Sequence, residues 1–310
     1  MHLSILGSIQ VLLAGICWGT YGTIASHLPA GIPSLAVGTI RLGVGALGLA
    51  LVLAIRHKGH VITRGNHFNL GTIALGAIAL AVAQTTLYIG IRNAGVTIAT
   101  MIFIGTPPLF SGLYSLVVRK ERQSMSWLTS SLVIAFGCYL MAISEGVTAQ
   151  SSPLVWGSIF ATVAGASWTM VGTMLRDMEK VASPVESSFV IMAAASLVML
   201  PIALLQGAAT WIDNSRVIFL SLALGLLSAA IPYWLFTTGA RRIPASHAFL
   251  YGLSEPITAS FLGMVVLGER LTPLGMIGYL AVVTSLIFFS VWEMKGAKTL
   301  GQGEPKDTVA

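Results

Sequence analysis

Residues 65–118 read GNHFNLGTIALGAIALAVAQTTLYIGIRNAGVTIATMIFIGTPPLFSGLYSLVV, and Arg92 is the one charge among them. It separates uncharged runs of 27 and 26 residues. A helix rising 1.5 Å per residue crosses a bilayer core in about 20 mostly apolar residues. Each run therefore holds one span, with Arg92 at the turn between them. The same count works outward along the chain: 123–144, 146–175, 187–212, 217–240 and 271–292 carry no charge either. Residues 1–40 are also uncharged, and the turn His27-Leu28-Pro29-Ala30-Gly31-Ile32-Pro33 divides them. Ten helices are expected, at about 4–26, 34–55, 68–91, 95–118, 126–144, 153–175, 184–205, 216–238, 244–267 and 272–293. Arg41 lies within the second and Glu255 within the ninth.

Composition agrees. Of 310 residues 55% are hydrophobic and 9% charged, with a mean hydropathy of +0.85. Soluble domains carry roughly 25% charged residues, so this chain cannot cover an ordinary water-facing surface. A soluble enzyme and a disordered chain are excluded. So is a disulfide scaffold, because the two cysteines, Cys17 and Cys138, have no motif spacing. The first span has no basic residue before it and no small-residue cleavage site, and reads as a retained helix. With the N-terminus in the cytoplasm, alternate loops place 13 basic residues inside and three (Arg92, Arg216, Arg270) outside. The positive-inside rule selects that topology, with both termini cytoplasmic. The formal charge of +6 is then a topology signal, and no nucleic-acid partner is expected.

Compared with itself, the chain repeats at an offset of 148 to 150. Gly15-Ile16-Cys17-Trp18 matches Gly165-Ala166-Ser167-Trp168, and Gly90-Ile91-Arg92-Asn93 matches Gly239-Ala240-Arg241-Arg242. Pro107 matches Pro256, and Glu121-Arg122 matches Glu269-Arg270. A five-helix unit is odd, so its second copy enters the membrane from the opposite side. The fold expected is an all-α polytopic membrane protein of ten transmembrane helices in two inverted five-helix repeats. Residues 1–146 form the first repeat, 147–294 the second, and 295–310 a disordered cytoplasmic tail.

These features resemble the drug/metabolite transporter superfamily, and within it the EamA-type ten-helix exporters: Trp18-Gly19 in helix 1, Arg41 early in helix 2, and midspan prolines followed by Glu121 and Glu269. The resemblance runs to about residue 293. It implies a secondary transporter in a bacterial inner membrane that exports small metabolites, amino acids among them.

Candidate site residues follow from depth. Pro107, Pro108 and Pro256 lie about twelve residues into their helices and leave the carbonyls of Phe103, Ile104 and Gly252 without a donor. Broken helices at corresponding places in two halves point to a transport site and its hinges, although kinks also serve packing alone. Glu255 and Arg41 are ionisable groups at membrane depth, which are costly and need a partner, a proton or a cavity. Glu255 is a coupling candidate, binding a proton or a substrate amine, or else pairs structurally with Arg41. Arg41 is a candidate for a substrate carboxylate or a snorkelling anchor near the outer face. Trp18, Gln84, Tyr88, Phe103, Trp168, Tyr233, Trp234, Tyr251 and Ser254 are the expected substrate-lining residues, an aromatic set with a few polar groups. Trp127, Trp156, Trp211 and Trp292 read as interfacial belt residues. His247 is a minor candidate for proton access. Gly43-Val44-Gly45-Ala46-Leu47-Gly48 matches a dinucleotide fingerprint by letters, but it lies inside a hydrophobic helix and is a packing stripe.

No catalytic constellation, metal-ligand spacing or cofactor motif is present, so neither an enzyme nor a metalloprotein is expected. The expected partners are a small-molecule substrate, the lipid bilayer and a candidate coupling proton, in a monomer or homodimer. Uptake or exchange of another small metabolite, and a non-transporting scaffold, stand as the alternatives.

Overall fold

Inside a bilayer the backbone must satisfy its own polar groups, which a helix does within one segment. A computed structural model describes residues 2–29, 31–56, 68–117, 120, 125–144, 152–207, 214–243, 251–252 and 254–301, and no strand occurs among them. The helices are α1 (His2–Gly19), α2 (Tyr21–Ser26), α3 (Ser34–Arg56), α4 (Leu70–Val117), α5 (Met125–Ala142), α6 (Ser152–Met178), α7 (Pro184–Leu205), α8 (Ser215–Gly225), α9 (Ile231–Ala240), α10 (Ser254–Val265) and α11 (Pro273–Gly301). A π-helical turn, Leu226–Ala230, joins α8 to α9. Among the described residues, six stretches are long and apolar enough to cross a membrane. The molecule is an all-helical, multi-pass membrane protein, and large apolar residues such as Leu205 (88% exposed) face outward where lipid would lie.

Several hydroxyls inside these helices are absorbed locally. Thr39 donates to the carbonyl of Leu35, Thr106 to Ile102, Ser158 to Leu154 and Thr284 to Leu280, each four residues back. A polar side chain bonded this way adds little cost to an apolar span.

As the sequence suggests, α4 is two helical arms, which meet three residues past Arg92 at a kink at Gly95 (φ 80°, ψ 166°). A left-handed φ favours glycine. A Cβ at Gly95 would also stand 2.9 Å from Glu269 Oε1. The Glu269 carboxylate accepts from the backbone N–H of Val96 and, at 2.8 Å, of Thr97. It thus caps the second arm of α4 from the far end of the chain, placing an anion at a helix N-terminus. At the other end of the chain, α11 continues through 295–301, residues that the sequence assigns to a disordered tail. That segment, Lys-Gly-Ala-Lys-Thr-Leu-Gly, has no proline to end the helix begun before it.

The major packing partners lie far apart in sequence: α1 packs on α9 and α10, α3 on α7, α4 on α6, and α5 on α11. Small residues allow the close approaches. A Cβ on Gly239 would stand 2.8 Å from the Gly7 carbonyl oxygen, and a Cβ on Gly90 3.1 Å from that of Gly157. Gly7 and Gly157 are 150 positions apart, Gly90 and Gly239 149.

Candidate functional site

Arg41 sits in the middle of this packing. It projects from α3, is 6% exposed, and is bonded on every nitrogen. Its Nε donates to Ser228 Oγ at 2.9 Å, its Nη2 to the Ser228 carbonyl, and its Nη1 to Gln84 Oε1 on α4. One face of the guanidinium lies over the Tyr21 ring, 4.4 Å from its centroid. Such a cation–π contact with a desolvated guanidinium contributes about 2 kcal/mol.

The local sequence explains why Ser228 can accept. Pro232 has no N–H, so the carbonyl four residues back, that of Ser228, loses its ordinary α-helical donor. The backbone widens there into the π turn, in which Ile231 N–H reaches back five residues to Leu226. Arg41 takes up the released carbonyl.

Beside this node runs a file of rings. Phe103 and Trp168 have centroids 6.2 Å apart, Trp168 and Tyr233 6.3 Å, Tyr233 and Trp18 5.5 Å, and Trp18 and Phe236 5.4 Å. Offset and edge-on pairs at these separations are favourable by about 0.5–1.5 kcal/mol each beyond their burial. The rings come from α4, α6, α9 and α1. Glu255, half-buried in the first turn of α10, acts electrostatically on both Arg41 and Tyr233. It does not pair with Arg41 within 4 Å: the one ion pair among the described residues is Lys180–Asp177, on the surface.

The expected site residues therefore separate. Trp18, Gln84, Phe103, Trp168 and Tyr233 join the ring file or the Arg41 node. Tyr88 is buried one turn along α4 from Gln84, but its hydroxyl points to the Ala25 carbonyl (3.4 Å) and its ring faces Arg92. Ser254 donates to the carbonyls of Leu12 (3.0 Å) and Tyr251 (2.7 Å), tying α10 to α1. Tyr251 packs against Val11 and Ile243 beside Phe236. Trp234 is half-buried among the residues around Tyr233, and its indole N–H has no partner among the described residues.

Arg41 corrects the reading of an anchor reaching toward the outer interface. It turns inward, because Gln84 and Ser228 offer three acceptor bonds that the lipid side does not. The prolines also differ from expectation in geometry. α4 keeps helical dihedrals through Pro107 and Pro108, and the described departures from α-helical backbone lie at Gly95 and in the π turn. Pro256 lies two residues past Ser254 in α10; Tyr251 and Gly252 before it are helical too, and Leu253 lies outside the described residues. His247 and Glu121 lie outside the described residues.

Sequence reading passed over Ser228, Tyr21 and Phe236. Pro232 was the available signal for Ser228: a midspan proline exposes the carbonyl four residues before it. Tyr21 and Phe236 carried none, because their importance comes from which rings they meet. No group of metal-binding side chains occurs among the described residues, and both cysteines are free.

The EamA-like transporter family model matches twice, over residues 5–143 and 155–291. The two matches begin 150 residues apart, the spacing of the internal repeat. The chain is 30% identical over 283 residues to the uncharacterized transporter YwfM of Bacillus subtilis, covering 91% of this chain and 93% of that one. It is 22% identical over 299 residues to the uncharacterized inner membrane transporter YicL of Salmonella typhimurium, covering 94% and 97%. To the threonine/homoserine exporter RhtA of Escherichia coli it is 27% identical over 209 residues, covering 64% of this chain and 68% of that one. A crystal structure sharing 16% identity superposes with a TM-score of 0.64 over 93% of this chain and 98% of the other, which shows a common fold. With family matches spanning nearly its whole length and the Arg41 node assembled from both of them, this chain belongs to the EamA-like transporter family.

Proposed function

We propose that the protein is a secondary carrier that exports small organic metabolites, amino acids or related amphiphilic compounds, across the bacterial cytoplasmic membrane by alternating access. In this reading ten helices form two inverted five-helix repeats with both termini in the cytoplasm. The substrate binds at midmembrane among Trp18, Gln84, Phe103, Trp168, Tyr233, Trp234 and Tyr251, with Glu255 carrying the coupling proton or a substrate amine. Pro107, Pro108 and Pro256 hinge the helix groups that open the site to one side at a time.

The observation that carries this is the assembly of one continuous aromatic and polar site from both family matches. Arg41, Gln84, Trp18 and Phe103 come from the first and Ser228, Trp168, Tyr233 and Glu255 from the second. A site at the seam between two similar units is one whose walls can part on either side. The paired packing contacts support the inverted relation: Gly7 meets Gly239 as Gly157 meets Gly90. Export, and amino acids as cargo, are supported by the likeness to RhtA, a threonine/homoserine exporter.

Flux measured in proteoliposomes tests it. A panel of amino acids, sugars, nucleosides and amphiphilic amines, with and without an imposed proton gradient, is expected to yield saturable flux for a small amphiphilic compound. Accumulation against the gradient, and its loss in Glu255→Gln, are expected if a proton is coupled. A folded, reconstituted protein that moves no member of the panel overturns the carrier reading. Flux indifferent to Glu255→Gln removes the coupling role alone.

A further inference from the structure

We propose that Arg41 is the carboxylate-binding residue of this site, held in place by Gln84 and Ser228 as positioning residues, and that the protein selects compounds joining a carboxylate to an apolar body. The proposal rests on the carrier reading above and names its substrate class.

The donor count leads to it. A guanidinium has five N–H donors. Three are engaged: Nε and one hydrogen of Nη2 by two oxygens of the single residue Ser228, and one hydrogen of Nη1 by Gln84. One hydrogen on each terminal nitrogen is left over, the number that a carboxylate accepts in a bidentate pair. All three acceptors are neutral. A buried guanidinium without an anion within 4 Å is costly, and Glu255, the acid whose charge reaches it, stands off beyond that distance. A bound carboxylate would supply the missing charge and take both remaining hydrogens.

The surroundings fit the same ligand. The Tyr21 hydroxyl, on the ring that the guanidinium covers, is buried without a partner among the described residues. Buried polar groups nearly always find a partner, so an unmet hydroxyl beside this cation suits a place where a ligand completes the polar contacts. Tyr233, which feels the charges of both Arg41 and Glu255, also belongs to the file of rings running from Phe103 to Phe236. A molecule whose carboxylate sits on Arg41 finds an aromatic wall next to it for its apolar part. Lysine could not replace the arginine, because a point charge on a flexible stem cannot make three fixed bonds and still present two parallel hydrogens.

Three probes with one skeleton test this: 3-phenylpropionate, L-phenylalanine and phenethylamine, the last lacking the carboxylate. Binding is measured on the purified full-length protein in lipid nanodiscs for the wild type and for Arg41→Gln, Arg41→Lys, Gln84→Leu and Ser228→Ala. Both carboxylated probes are expected to bind at least tenfold more tightly than phenethylamine. Arg41→Gln and Arg41→Lys bring that ratio close to one. Gln84→Leu and Ser228→Ala lower it three- to tenfold by weakening the carboxylated probes more than phenethylamine, a differential change that general loosening of the fold would not produce. Should Arg41→Gln fail to fold, the ratio in Gln84→Leu and Ser228→Ala decides. Equal or tighter binding of phenethylamine to the wild type, a ratio unmoved in every folded variant, or no binding of either carboxylated probe at 10 mM each overturns the proposal. The carrier reading fails separately, by absence of flux across the metabolite panel. Flux confined to amines would sink the carboxylate assignment and leave the carrier standing.

Discussion

The two segments that match the family are alike where backbones touch and unlike where chemistry would occur. Gly15 packs against Ser254 and Glu255, while Gly165, 150 residues on, packs against Phe103 and Thr106, which precede those residues by 149 to 151 positions. Trp18 and Trp168, also 150 apart, both reach Tyr233. Yet the position equivalent to Arg41 is Ile191, that of Tyr21 is Val171 and that of Ser228 is Ala79, all buried and apolar. Glu255 corresponds to Thr106, whose hydroxyl is spent on its own helix. Helix crossings recur in both copies because each copy must pack. A small ligand near the axis has no two-fold symmetry of its own, so one set of polar contacts suffices. A second buried cation would need a second anion.

Installing that second cation gives the largest expected effect. Ile191→Arg should leave little folded protein, since burying an unpaired charge costs several kcal/mol. Size-exclusion profiles would show it, and a monodisperse variant of normal stability would break the comparison. Arg41→Gln, by contrast, should fold. Next, Trp18→Ala and Trp168→Ala should each lower initial flux about tenfold, and thermal stability by about 1–3 kcal/mol for half-buried rings, short of the 3–5 expected at full burial. Unequal losses would show that one wall does more of the binding.

The glycines give a smaller and graded effect. A Cβ at Gly165 would stand 2.6 Å from the Phe103 carbonyl, which cannot rotate away, so Gly165→Ala should cost about 1–3 kcal/mol. At Gly15 the nearest atom is the Ser254 hydroxyl, which can turn, and Gly15→Ala should cost less. Melting midpoints in detergent check the order. The smallest effect is expected beyond the end of α6. Burial pushes the Glu179 carboxyl above its ordinary value, and Arg241 and Arg176 pull it back down. The folded protein then keeps this proton to higher pH than the unfolded chain. Stability should therefore fall slightly as pH rises from the ordinary glutamate range through the raised value. Unfolding midpoints across that window in wild type and Glu179→Gln would show the slope disappear.

Trp18, Gln84, Phe103, Trp168 and Tyr233, singled out because each is aromatic or polar at midspan depth, meet in the ring file and the Arg41 node. Ser254 and Tyr88 shared those properties but turn their hydroxyls to the carbonyls of Leu12, Tyr251 and Ala25, since depth says nothing about which way a side chain turns. The break at Gly95 could be placed between two runs of apolar residues. Its cap, Glu269, could not, because the carboxylate arrives from 172 residues away. The capping box of Ser183 and Glu186 at the start of α7 is a local S-x-x-E pattern and lay open to reading.

What the sequence settled unaided is that the chain is helical and that it crosses a membrane several times. Both depend on local composition: a charge-free run of sufficient length has one way to satisfy its backbone in lipid. The partners of Arg41 were settled only by packing. Gln84 lies 43 residues away and Ser228 lies 187. Whether a buried guanidinium meets lipid headgroups, a glutamate or a released carbonyl depends on which helices stand beside it.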